Sequence, residues 1–169
     1  MAESDHQKFR RIFEPLFAKS FVAAYRLTGS PEDAEDLIQE SYLKAFRAID
    51  KYDESKGAPA AWLHTIIRNT FINDLKKKRL REAPLFDESA PERVAAPAEE
   101  GHIEQSDGSL QKILDSLPAE SRLLLVAREV NSLTYAELAK EFGLAEGTVK
   151  SRLNRARALL REKWQRIQK

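Results

Sequence analysis

Apolar residues recur along this chain at intervals of three and four, and no stretch alternates as a strand would. The spacing predicts a short helix before Pro15, another over about Pro15–Leu27, a third from Pro31 to Asp50 and a fourth from Pro59 to about Lys78. In the third helix the stripe is Ala34, Leu37, Ile38, Tyr42, Ala45, Phe46 and Ile49; in the fourth it is Trp62, Leu63, Ile66 and Ile67. Ser30 is a good N-cap, Pro31 suits the first helical position, and Asp33 completes a capping box. Four more helices follow, over about Leu110–Ser116, Ala119–Val130, Tyr135–Phe142 and Ala145–Arg166. Thr134 and Glu137 form a second capping box, and Gly143 is the natural stop for the helix between them and it.

Between the two helical blocks lies "EAPLFDESAPERVAAPAEEGHIEQSDG", residues 82–108, with Pro84, Pro91 and Pro97 and acids throughout. Such a composition cannot bury enough surface to offset ordering entropy, so it reads as a linker in which Phe86 and Val94 could dock locally. The expected fold is all-α: two small helical domains, residues 1–81 and 109–169, joined by a flexible acidic linker, residues 82–108.

Composition narrows the function. The 169 residues include no cysteine, which excludes disulfides and thiolate metal sites and fits a reducing cytoplasm. The charged N-terminus has no apolar core of a signal peptide, and no apolar run approaches a membrane span, so a cytoplasmic location without membrane insertion is expected. The net charge of +1 hides a pattern: residues 1–81 carry a balance of +3, residues 82–108 one of −7, and residues 109–169 one of +5. Two basic blocks around an acidic spacer point to a polyanion partner for the blocks. The three histidines, His6, His64 and His102, are scattered. With no phosphate-binding loop or hydrolase motif either, no catalytic site, metal site or cofactor is expected. His64, alone on its helix, reads as a surface or satisfied residue.

The stretch "EGTVKSRLNRARALLR", Glu146–Arg161, carries the clearest chemistry. At 100° per residue, Val149, Leu153, Ala156 and Leu160 fall on one face. Gly147, Lys150, Ser151, Asn154, Arg155 and Ala158 fall broadly on the other. A short capped helix, "TYAELAKEF", precedes it across the turn "GLA". That is the arrangement of a helix-turn-helix, whose second helix enters the major groove. Arg can pair with guanine edges and Asn with adenine edges, while other cations hold phosphates. Lys150, Ser151, Arg152, Asn154, Arg155 and Arg157 are the candidate contacts.

"TYAELAKEFGLAEGTVKSRLNRARALLR" resembles domain four of bacterial sigma factors, in particular the extracytoplasmic-function (ECF) group. "DAEDLIQESYLKAFRAIDKY" followed by "AAWLHTIIRNTFINDLKKKR" resembles domain two of the same group, in the expected order. The resemblance implies a factor that binds core RNA polymerase and directs promoter-specific initiation at −10 and −35 elements. Domain four would read the −35 element. The helix matching Pro31–Asp50 would bind the beta-prime clamp helices, with Asp36, Gln39 and Glu40 in the "DLIQE" positions. Further implied partners are the beta flap and an anti-sigma factor.

The resemblance also implies a −10 surface on the fourth helix and the loop before it, Tyr52–Ala58, which would capture a flipped base. Its candidates are Lys56, Arg68, Asn69, Lys76 and Arg79, with Thr65 and Ile72 on the same face. Trp62 keeps register with Leu63 and Ile66, so it is assigned to the core rather than to base stacking. The chain departs from the family in two places: "GAPAAWL" lacks the aromatic residue often found shortly before the Trp, and Ala145 stands where a capping hydroxyl is expected. Two other readings compete. A sigma-like decoy that binds an anti-sigma factor without initiating would not need Arg68, Lys76, Ser151, Asn154 and Arg155. A plain helix-turn-helix regulator would leave the "DLIQE" helix and the linker without a task.

Overall fold

The computed structural model describes residues 4–82 and 105–167, with side chains over 4–78 and 108–167. The body of the predicted linker, with Phe86, Val94 and His102, and the side chain of Arg79 lie outside the described residues. Eight α-helices are present among them: α1 (Asp5–Phe13), α2 (Phe17–Thr28), α3 (Pro31–Arg47), α4 (Pro59–Glu82), α5 (Gln105–Asp115), α6 (Ala119–Glu129), α7 (Tyr135–Phe142) and α8 (Glu146–Ile167). No strand occurs among the described residues. Single 3-10 turns fall at Glu14–Leu16, Ile49–Lys51 and Glu54–Lys56.

Local chemistry explains most boundaries. Pro15 lacks the N–H that would continue α1, and the chain passes through one 3-10 turn before α2. Gly29 ends α2 with φ +77° and Gly143 ends α7 with φ +63°, both left-handed conformations that favour glycine. Thr134 and Glu137 make the full capping box of α7. At α3 only half of the predicted box forms. The Ser30 hydroxyl accepts from the Asp33 amide at 3.3 Å, but the Asp33 carboxylate turns to Lys78 Nζ at 3.1 Å. A cation on a distant helix outcompetes the neutral amide of the cap. Helix α5 begins at Gln105, inside the stretch assigned to the linker.

The first core gathers Phe13, Leu27, Leu37, Ile38, Leu63, Ile67 and Phe71 from α1 to α4. Trp62 packs against Phe13 and Tyr52, with ring centroids 5.3 and 5.1 Å apart, in keeping with the core assignment. The second core gathers Leu124, Leu133, Leu138, Val149, Leu153 and Ala156 from α6 to α8. The two are not separate. Leu123 and Val126 on α6 are 3% exposed and belong to the first core, so the second helical block is docked on the first. Fully burying each such side chain is worth about 1.5–3 kcal/mol. Phe46, predicted on the core stripe, is 38% exposed instead. It sits one turn beyond Tyr42, where α1 covers only one side of α3 through the Phe9 ring, 5.4 Å away.

Candidate nucleic-acid and polymerase interface

Helix α8 carries the first candidate surface. Val149, Leu153 and Ala156 are at most 1% exposed and seat it on the second core. Lys150, Ser151, Asn154 and Arg155 are exposed on the opposite side. A side chain added at Gly147 would meet nothing within 4 Å, so this face is open from the first turn. The turn into α8 is held by Leu144, whose amide donates to the Ala139 carbonyl at 3.0 Å. Arg152 and Arg157, grouped with the others from sequence, turn toward α6. Arg152 pairs with Glu120, and Arg157 donates to Glu129 Oε1 from Nε at 3.0 Å and Nη2 at 2.5 Å. The Glu129 hydrogen bond pushes the Arg157 guanidinium pKa further up. These two cations flank the open face and are partly neutralised.

The loop before α4 is held rather than free. Tyr52 is 4% exposed, and its hydroxyl donates to the Gly57 carbonyl at 3.3 Å. Lys8 Nζ donates to the Tyr52 carbonyl at 3.2 Å, and Arg11 pairs with Glu54 at 3.1 Å. Asp53 accepts from the Ser55 hydroxyl at 2.7 Å and amide at 2.9 Å, and these bonds pull its carboxyl pKa down. Lys56 projects from this frame with its side chain 80% exposed.

On α4, Asn69 and Lys76 are exposed, whereas Ile72 is drawn in against the first core. Arg68 is only partly exposed: its guanidinium lies 4.5 Å from the centre of the Phe142 ring on α7. One turn earlier, His64 is 1% exposed, and its Nδ1 lies 2.8 Å from Glu141 Oε1. One turn later, the Arg122 guanidinium lies 5.8 Å from the Phe71 ring; its own burial pulls its pKa down, against the effect of Asp115. Residues 61, 64, 68 and 71 thus make a stripe on α4 that faces domain four. Arg68 stands on the border between that stripe and the exposed face of Asn69 and Lys76. Sequence reading missed this contact, because nothing local marks His64 and Glu141 as partners 77 residues apart.

On α3, Asp36 and Gln39 are exposed, and Glu40 is half-exposed against Lys44 Nζ at 2.6 Å. The Lys44 hydrogen bond pulls the Glu40 carboxyl pKa down. Two apolar residues share their face: Leu43, which sequence reading passed over, is 55% exposed, and Phe46, which it assigned to the core, is 38% exposed. Residues 36, 39, 43 and 46 recur at helical spacing on one side. Leu43 lies off the core stripe Leu37–Ile38–Ser41–Ala45, which is the signal that could have found it. Among the described residues, no group of three or more His, Asp or Glu is placed to hold a metal ion. No helix among them is long and apolar enough to cross a membrane.

Comparison with known proteins agrees with this layout. Residues 21–81 match the Sigma-70 region 2 family, and residues 107–160 match Sigma-70, region 4. The chain is 37% identical over 138 residues to the ECF RNA polymerase sigma factor EcfG of Rhodopseudomonas palustris, covering 81% of this chain and 74% of that one. It is 34% identical over 157 residues to SigM of Mycobacterium tuberculosis, covering 89% and 76%. SigE of Mycolicibacterium smegmatis is 35% identical over 142 residues, 82% of this chain but about half, 54%, of the longer relative. Among solved structures, the sigma factor RpoE of Bartonella quintana, in complex with the anti-sigma factor NepR, is 28% identical. It superposes with a TM-score of 0.73 over 93% of this chain and 96% of that one. Two sigma-70 regions in order, together with these relatives, place this chain in the sigma-70 family, in its extracytoplasmic-function group.

Proposed function

We propose that this ECF-type sigma factor binds core RNA polymerase through α3 and directs initiation through α4 and α8. Asp36, Gln39, Glu40, Leu43 and Phe46 form the polymerase-binding face. The polar residues set register on the beta-prime clamp helices, and Leu43 and Phe46 supply the apolar anchor that a stable interface needs. Lys150, Ser151, Asn154 and Arg155 read the −35 element from the major groove, with Arg152 and Arg157 at its rim. Lys56, Asn69, Lys76 and Arg79 engage the −10 strand, joined by Arg68 once domain four moves away. The observation that carries the reading is the open face of α8: exposed Arg, Asn and Ser opposite a line of buried apolar residues. A solvated surface helix has no need of that line, and a buried helix would not hold the cations.

The relatives are sigma factors rather than catalysts, and bond making belongs to the polymerase. The protein acts in the cytoplasm with that enzyme and uses no cofactor. The sigma factor RpoE of Bartonella quintana, a structural neighbour, is bound to an anti-sigma factor, and we assign this chain a partner of the same kind. Run-off transcription with purified bacterial core RNA polymerase on a promoter library tests the proposal. Discrete start sites that depend on this protein support it. Polymerase binding without initiation leaves the decoy, and neither binding nor initiation leaves only a helix-turn-helix regulator.

A further inference from the structure

Tyr135 opens α7, directly after the Thr134 cap. Three cations from two other helices converge on it. The Arg128 guanidinium of α6 lies 4.7 Å from its ring centre, and Lys150 Nζ of α8 lies 5.2 Å from it. The Arg157 guanidinium, paired with Glu129, also lies near the Tyr135 side chain. Arg128 is braced further by donating to the Leu133 carbonyl at 2.7 Å. Like charges gathered this closely repel, and Glu129 offsets only one of the three. The ring itself packs on the second core, a task that leucine would perform as well. What a tyrosine adds is an electron-rich face for cations and a hydroxyl. The cluster reaches the open face of α8 through Lys150, which is exposed there beside Ser151.

We propose that Tyr135 is a positioning residue: its ring holds Lys150 and Arg128 at the rim of the recognition helix as a preformed pair of contacts to DNA phosphates. A long lysine or arginine side chain loses rotamer freedom when it grips a phosphate. A ring that restricts it beforehand moves that cost from binding to folding. Arg128 becomes a DNA contact that sequence reading did not include, and it lies on α6, outside the helix-turn-helix itself. The inference rests on domain four reading promoter DNA.

The test uses the full-length chain in complex with core polymerase and a fluorescein-labelled duplex carrying a promoter selected by the run-off assay. Affinity is measured by anisotropy across a salt series. Each phosphate contact contributes roughly 0.9 to the slope of log affinity against log salt. Tyr135→Leu is expected to flatten the slope by about one to two, and Tyr135→Phe, which keeps the ring, to restore it. Lys150→Ala is expected to flatten the slope in the native background and to change it far less in Tyr135→Leu. A Tyr135→Leu variant with weaker binding but an unaltered salt slope, or with full additivity to Lys150→Ala, would reduce Tyr135 to a packing residue and overturn the inference. Melting temperatures of each variant separate that outcome from simple unfolding. If the native protein selects no promoter at all, the reading of domain four fails first, and that is a separate result.

Discussion

His64 Nδ1 lies 2.8 Å from Glu141 Oε1, with the two side chains 1% and 3% exposed, and this contact joins helix α4 of domain two to helix α7 of domain four. The remaining atoms of the pair, Nε2 and Oε2, are buried without a hydrogen-bond partner among the described residues. A pair of this kind is held in place by its surroundings more than it stabilises them. Removing one member of a buried pair costs about 3–5 kcal/mol, while replacing both with apolar groups is often neutral. The protein lacks cysteine, so dyes can be placed on Glu35→Cys and Gln165→Cys. Glu141→Ala is expected to lower energy transfer between them as the domains separate, and His64→Leu combined with Glu141→Leu to restore it. Unchanged transfer in Glu141→Ala would mean that Leu123 and Val126 hold the docking alone.

If α4 and α8 read the two promoter elements as proposed, docking and promoter binding exclude one another. Elements centred near −10 and −35 lie about 25 base pairs apart, on the order of 85 Å of duplex. A compact chain of this length is only about 40 Å across. Arg68 is also engaged with the Phe142 ring at 4.5 Å. Phe142→Ala is therefore expected to raise affinity for a single-stranded −10 oligonucleotide severalfold, and Arg68→Ala to lower it. Both are read by anisotropy with the free protein. A fall in affinity for Phe142→Ala, in a sample with native helical content, would count against the competition.

The α3 face is open, so substitutions there should spare the fold. Leu43→Glu, at a position 55% exposed, is expected to shift stability by no more than about 0.5 kcal/mol, and Phe46→Glu, which gives up the Phe9 ring contact, by about 1 kcal/mol. Each is expected to weaken polymerase binding at least tenfold, measured by titration of labelled core enzyme. An equal loss of thermal stability and binding would point instead to packing under Phe9.

On α8, position should decide the kind of defect. Arg155→Ala is expected to cost about 1–3 kcal/mol on the selected promoter and to relax base preference at one position. Arg152, tied to Glu120, and Arg157, tied to Glu129, should cost less when replaced by Ala, and equally on every sequence. Competition binding against a randomised −35 library reads the difference.

Gly29 tests the seam between domains. Its φ of +77° disfavours any side chain, and a Cβ there would stand 2.9 Å from Asp115 Oδ2 on α5. Gly29→Ala is expected to destabilise by more than the roughly 1–2 kcal/mol of the left-handed conformation alone. In an Asp115→Ala background, which has already lost the Arg122 pair, Gly29→Ala should cost less by its steric part, seen as a smaller fall in melting temperature than in the native chain.

By itself the sequence determined what depends on neighbours along the chain. The Thr134–Glu137 box, the Gly143 stop and the opposition of Val149 and Leu153 to Lys150 and Arg155 are set within one or two turns, so periodicity and capping chemistry make them legible. Two sigma-70 regions in order were legible for the same reason. Tertiary structure decided what depends on which surfaces meet. It left Phe46 half outside the core, drew Arg152 and Arg157 toward α6, took Asp33 away from its cap, and buried His64 against Glu141. In each case a charge or ring is claimed by a partner from another helix, and for His64 and Glu141 burial strengthens the attraction by excluding water. Helical spacing carries no record of such partners, because the distance that sets their energy runs through space and not along the chain.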